Sequence, residues 1–161
     1  MAEVFDETWL KLREPIDQRS RPAVAPTLIK QAWQKHGWKR VLALGAGTGS
    51  NVRYLSPLLP SPQQWTVIDH DEELLAAGAM PETAGSVTRV VRNLSSGISQ
   101  EIEAADAEFV TASALLDLVS DSWMAETVET CRLRRCGVYF SCLLYTSPSP
   151  RDATLSRMPS S

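Results

Sequence analysis

Residues 41–55, "VLALGAGTGSNVRYL", set three glycines within five positions directly after an apolar run. The run has the length and composition of a strand buried on both faces, and the segment after Gly49 has a helical pattern. Strand, glycine loop and helix in that order form a unit that buries its surfaces only within a layered α/β sheet. Gly45, Gly47 and Gly49 lack a Cβ, so the chain between strand and helix can turn sharply and come close to a ligand.

The rest of the sequence continues the alternation. Helices are predicted over 6–14, stopped by Pro15, and over 26–37, with Pro26 at the start, Gly37 at the end and Leu28, Ile29, Ala32 and Trp33 as the buried stripe. "RVLAL" is the first strand, and the helix in "SNVRYLSPLL" ends at Pro60. "WTVID", "SVTRVVR", "AEFVTA" and "CGVYFS" read as four further strands. "DEELLAAG", with Gly78 as its stop, and "SDSWMAETVETCRLR", capped by Ser120 or Asp121, read as helices. Strands joined through helical segments pair in parallel by right-handed crossovers, so the expected fold is a Rossmann-like doubly wound, mostly parallel α/β sheet of about five strands, preceded by N-terminal helices.

Composition narrows the class. With 161 residues and 43% hydrophobic content the chain suffices for one domain. A net charge of -3 speaks against a general nucleic-acid-binding surface. There is no apolar run of about 18 residues, and the acidic start "MAEVFDETW" is unlike a secretory leader, so the expectation is a cytoplasmic protein without a membrane span. Cys131, Cys136 and Cys142 show no metal-ligand spacing and read as reduced thiols, with no metal expected. The five tryptophans read as packing residues rather than a stacking platform.

Residues 142–161, "CLLYTSPSPRDATLSRMPSS", change abruptly to Ser, Pro and Arg without a hydrophobic period. Back-translated, they resemble a sequencing-library adapter. The segment is therefore expected to be a non-native, disordered tail on a reading frame cut after about Ser141, against the alternative of a native disordered tail.

The loop spacing is GxGxG. A dinucleotide fingerprint, GxGxxG or GxGxxA, would place a small residue where Ser50 stands. Asp69 ends the second strand 24 residues after Gly45, where a carboxylate can accept from both hydroxyls of a ribose. The competing reading of Asp69 is a helix cap, a role that Asp71 can fill instead. His70 reads as an exposed residue flanking a cofactor.

In these respects the loop resembles motif I of the class I S-adenosylmethionine (SAM) methyltransferases. "WLKLREPIDQRSR", "VLALGAGTGSNVRYL", "WTVIDHDEELL" and "FVTASALLDLVSDSW" resemble, in that order, a group of bacterial class I methyltransferase-like proteins. The resemblance implies SAM as cofactor, bound by Gly45, Ala46, Gly47, Thr48, Gly49, Asp69, His70, Asn93, Leu94 and Ser113. Asn93 stands where the family often has an aspartate reading the adenine amino group. Ala43 stands where the family usually has an acid reaching the methionine end of SAM, which leaves that end under-satisfied. The family sheet usually has seven strands.

The implied chemistry is displacement at a sulfonium methyl, for which alignment and exclusion of water matter more than a strong base. Thr111, Ser113 and Asp117 are expected to face the methyl and its acceptor, with Asp117 as the candidate catalytic residue; Ser113 and Asp117 could equally satisfy backbone groups at a helix start. In the charged run of Arg13, Asp17, Arg19 and Arg21, Arg13 and Arg19 are candidates for holding an anionic acceptor, against the alternative of solvated surface charge. Residues 1–38 are expected to form a helical lid and 39–141 the SAM-binding domain. The acceptor, unknown in identity, is expected to be a small molecule rather than nucleic acid. Two alternatives stand beside this reading: an NAD(P)-binding domain, and a non-catalytic methyltransferase-like module.

Overall fold

Residues 41–44 are each at most 1% exposed, which makes their strand the axis of the molecule. A computed structural model describes residues 7–19, 21–113 and 119–141, leaving aside the side chains of Trp9, Leu10, Arg13, Asp17 and Ser96. Strand β1 (Arg40–Leu44) sends alternate side chains into two apolar layers. Val41 and Ala43 join Ile29, Trp33, Leu55 and Trp65 on one face; Leu42 and Leu44 join Ile68, Ile102, Val110 and Trp123 on the other. Covered on both faces, the strand is apolar throughout rather than alternating.

β2 (Gln64–Asp69), β3 (Ser86–Val91), β4 (Phe109–Ser113) and β5 (Gly137–Ser141) complete a sheet of order β3-β2-β1-β4-β5. Every pairing is parallel. The helices are α1 (Glu7–Arg19), α2 (Ala25–His36), α3 (Ser50–Leu55), α4 (Glu72–Ala77), α5 (Ser99–Ala105) and α6 (Asp121–Leu133). α2 and α3 supply the first layer through Ile29, Trp33, Val52 and Leu55; α5 and α6 supply the second through Ile102, Trp123 and Cys131. The fold is the doubly wound Rossmann-like sheet that the sequence predicts. Its order reverses between β1 and β4, the point beyond whose carboxyl ends open α/β sheets generally bind ligands.

Local departures have local causes. α1 does not stop at Pro15 but runs on to Arg19. The ring's fixed φ suits a helix, the forfeited hydrogen bond falls on the exposed side of Lys11, and Gln18 Nε2 bonds Glu14 Oε2 across the proline at 3.3 Å. Leu28 is 57% exposed, so the buried stripe of α2 is Ile29 and Trp33. α5 has no counterpart among the predicted helices, because Ile102 is its one buried apolar residue, with Ile98 one turn earlier just outside it. Trp33, Trp65 and Trp123 are buried, and Trp33 meets Trp38 and Phe109 edge-on at 5.8 and 5.2 Å.

Cys131 and Cys136 are free thiols. Burial pushes the Cys131 thiol up to about 12 from its usual 9.0. A thiol raised in the folded state adds stability below its unfolded pKa and withdraws it as pH climbs from 9.0 toward 12. A variant retaining Cys131 as its single cysteine is therefore expected to react with a thiol reagent at pH 8 only as fast as it unfolds. Immediate stoichiometric labelling of that variant in its folded state would contradict this packing.

Candidate functional site at the carboxyl ends of β1, β2 and β4

The glycine loop is stitched into the protein by its own amides. Gly45, Gly47 and Gly49 adopt φ of 59°, 54° and 93°, so the loop winds through left-handed backbone. The Ala46 N–H donates to the Ile68 carbonyl at 2.9 Å, Gly47 N–H to Asp69 Oδ2 at 2.8 Å, and Gly49 N–H to the Ala46 carbonyl at 2.9 Å. Asp69 Oδ1 accepts from the Asp71 N–H at 2.9 Å. His70, exposed, holds Nδ1 at 3.3 Å from the same oxygen. Asp71 is the cap of α4, accepting from the Leu74 N–H at 3.1 Å, so the helix start does not need Asp69. Each Asp69 oxygen carries more than one lone pair, and the carboxylate retains acceptor capacity beside the loop.

A guanidinium clamps the far side of the loop. Arg53 Nη1 donates to the carbonyls of Thr48 and Ala79 at 2.7 and 2.9 Å, and Nη2 to Thr48 Oγ1 at 3.1 Å. Its other edge makes a two-pronged pair with Glu14 of α1, at 2.9 and 2.6 Å. A cleft of about 380 Å³ lies there, with Lys11, Glu14, Gln18, Thr48, Arg53 and Gly78 in its wall. Gly78 does not act as a left-handed helix stop, since its φ is -75°. Its bare Cα lies against the Thr48 carbonyl, where an ideal Cβ would overlap the carbonyl carbon and oxygen. Nothing in the local sequence signals that contact, or the Glu14–Arg53 pair.

At the end of β4 the expected site residues divide. Thr111 is fully buried; it accepts from Asn51 Nδ2 at 2.9 Å and donates to the Tyr139 carbonyl at 2.7 Å, so its hydroxyl is engaged within the interior. Ser113, half-buried, accepts from Arg21 Nη2 at 3.3 Å. Arg21 Nη1 donates to Asn51 Oδ1 at 2.7 Å, and the guanidinium carbon lies 4.1 Å from the centre of the Tyr54 ring. Arg21 is 9% exposed, which removes it from the solvated charge expected of its run. Arg19 is exposed at the end of α1. The side chains of Arg13 and Asp17, with Asp117 and residues 142–161, lie outside the described residues.

Asn93 is exposed after β3, and its Oδ1 accepts from the Ser95 N–H at 2.9 Å, closing the turn that carries Leu94. The Leu94 carbonyl accepts from Trp123 Nε1 at 2.6 Å, which ties this turn to α6. Ala43 is 1% exposed inside the first apolar layer, beside Val67 and Thr111 in the sheet register. Among the described residues no helix is long and apolar enough to cross a membrane.

No family model and no curated protein matches the chain. Solved structures do. A SAM-dependent methyltransferase from Mesorhizobium loti is 19% identical, matching 80% of this chain and 52% of its own, with a TM-score of 0.44. The plantazolicin methyltransferase BpumL, solved with a pentazolic desmethylPZN analog and SAH, is 16% identical, matching 96% of this chain and 60% of its own, with a TM-score of 0.49. The chain thus spans about half the length of the solved chains it is similar to.

Proposed function

We propose that the chain binds SAM across the glycine loop and Asp69 and forms the cofactor-binding part of a methyltransferase. The observation that carries this reading is the fate of the loop amides. A pyrophosphate cradle needs free N–H groups aimed at the ligand. Here the amides of Ala46, Gly47 and Gly49 are already consumed by Ile68, Asp69 and Ala46, so these three are not free to cradle a pyrophosphate. A nucleoside without phosphates, whose ribose hydroxyls donate to the Asp69 carboxylate, fits the same geometry.

A bound sulfonium cofactor supplies an already activated methyl group. The chain's own part is to bind and orient it: Asp69 holds the ribose, the turn at Asn93 and Leu94 flanks the base, and Ser113 lies at the end of β4 toward the acceptor. Asp117 is retained in this proposal as the group that orients the acceptor or takes its proton. Alignment of this kind is the main route by which such a site accelerates a displacement.

Calorimetric titration of the chain with S-adenosylhomocysteine (SAH) and with NADH tests the reading. SAH is expected to bind and NADH not; preference for NADH would establish the dinucleotide alternative. In the Asp69→Ala variant SAH affinity is expected to fall by about 1.5–3 kcal/mol, the worth of hydrogen bonds to a charged acceptor. Binding unchanged in that variant would remove Asp69 from the site. SAH binding without methyl transfer by a longer form of the protein would favour the non-catalytic module.

A further inference from the structure

Arg21 is a permanent cation more than nine-tenths buried, and its described hydrogen-bond partners, Asn51 Oδ1 and Ser113 Oγ, are both neutral. A guanidinium cannot shed its proton to escape a dry site. Among the described residues no carboxylate pairs with it, and those two contacts engage two of its five N–H donors. A second polar group, on the adjacent strand, is also unsatisfied: Tyr139 pairs in register with Thr111, the hydrogen-bond partner of Asn51, and its hydroxyl is buried with no hydrogen-bond partner among the described residues. Burial raises the Tyr54 phenol, Tyr139 raises it further and Arg21 opposes them, so the three groups share one electrostatic neighbourhood. Ser113 ends β4, which places the cluster beside the switch point of the sheet.

We propose that Arg21, with the hydroxyls of Ser113 and Tyr139, forms a carboxylate-binding subsite at the carboxyl end of β4. One guanidinium and two hydroxyls neutralise and hydrogen-bond one negative charge, which suits a carboxylate and would leave a phosphate dianion half compensated. The carboxylate has two possible sources, the amino-acid end of the cofactor or the methyl acceptor. The inference deepens the SAM reading and rests on it for the first source alone.

The experiment compares SAH with 5′-methylthioadenosine, which lacks the amino-acid end, on the full chain and on Arg21→Gln. It also follows the melting temperature in acetate or benzoate against chloride at equal ionic strength. If the cofactor supplies the carboxylate, the wild-type chain is expected to prefer SAH by about tenfold or more, and Arg21→Gln to reduce that preference to about twofold without weakening methylthioadenosine. If the acceptor supplies it, the two nucleosides bind alike, and organic carboxylates raise the melting temperature saturably in the wild type and not in Arg21→Gln. Either pattern supports the subsite; a folded chain showing neither overturns it. It is also overturned if Asp17→Asn or Asp117→Asn lowers the melting temperature as far as Arg21→Gln does, since the counter-charge is then the chain's own. Failure of both nucleosides to bind would reject the SAM reading, while the carboxylate arm still decides the subsite. Arg21→Lys keeps the charge without the fork; it is expected to lose part of the preference and gives the readout if Arg21→Gln does not fold.

Discussion

Gly78→Ala is expected to unfold the chain or leave it without a formed glycine loop. The added methyl would overlap the Thr48 carbonyl carbon and oxygen and lie 2.8 Å from the Thr48 Cα, and these backbone atoms have no rotamer by which to move aside. Relief requires the loop to shift as a body, which breaks the 2.7 Å bond from Arg53 to the Thr48 carbonyl and drags on the Gly47–Asp69 contact one residue away. The loss is expected to exceed about 3 kcal/mol, in the range of severe overpacking against atoms that cannot repack. Gly37→Ala is the control: its φ is 64° but nothing lies within 4 Å of its Cβ position, so only the left-handed backbone is penalised, by about 1 kcal/mol. Urea unfolding of the two variants checks the contrast. A Gly78→Ala chain within about 1 kcal/mol of the wild type would mean that α4 and the loop do not touch as described.

The pattern of the sequence carries what repeats along the chain, and it loses what depends on contacts between distant segments. β1 was readable because burial on both faces makes five consecutive residues apolar, and Asp71 because a cap must sit next to the helix it caps. Asp69 was readable as a position, but its bond to Gly47 depends on how β2 lies against β1. Gly78 looked like a helix stop because glycine after a helix usually is one; its actual constraint comes from Thr48, thirty residues earlier. Arg21 in "DQRSRP" has the pattern of a surface charge, while in the fold it lies against Asn51, Tyr54 and Ser113, all distant in sequence. Nearness to the strand end is all that the sequence shows of Thr111. The pleat sends it inward on the same face as Phe109, toward Asn51 and the first apolar layer.

Ala43→Asp sets the family resemblance against the packing of this chain, and the expected result is a loss of stability that grows with pH. The resemblance asks for an acid at this position; the structure fills it with a methyl group 1% exposed, between Val67 and Thr111, in the layer that holds Trp33 and Trp65. A carboxyl group there loses its hydration, and the described bonds of Asn51 and Thr111 are already committed to each other, to Arg21 and to the Tyr139 carbonyl. A destabilisation of about 2–4 kcal/mol follows from burying a polar group with too few partners. Burial raises the carboxyl's folded pKa above its unfolded value of about 3.9, so the folded state keeps the proton longer than the unfolded one does. Stability then falls as pH rises from that value through the folded pKa, and the deficit relative to wild type is expected to be larger at pH 8 than at pH 5. Denaturant melts at the two pH values measure it. A variant as stable as wild type at pH 8 would show instead that the carboxylate finds water or a charged partner at this position, and tighter SAH binding in that variant would restore to the position the role that the resemblance assigns it.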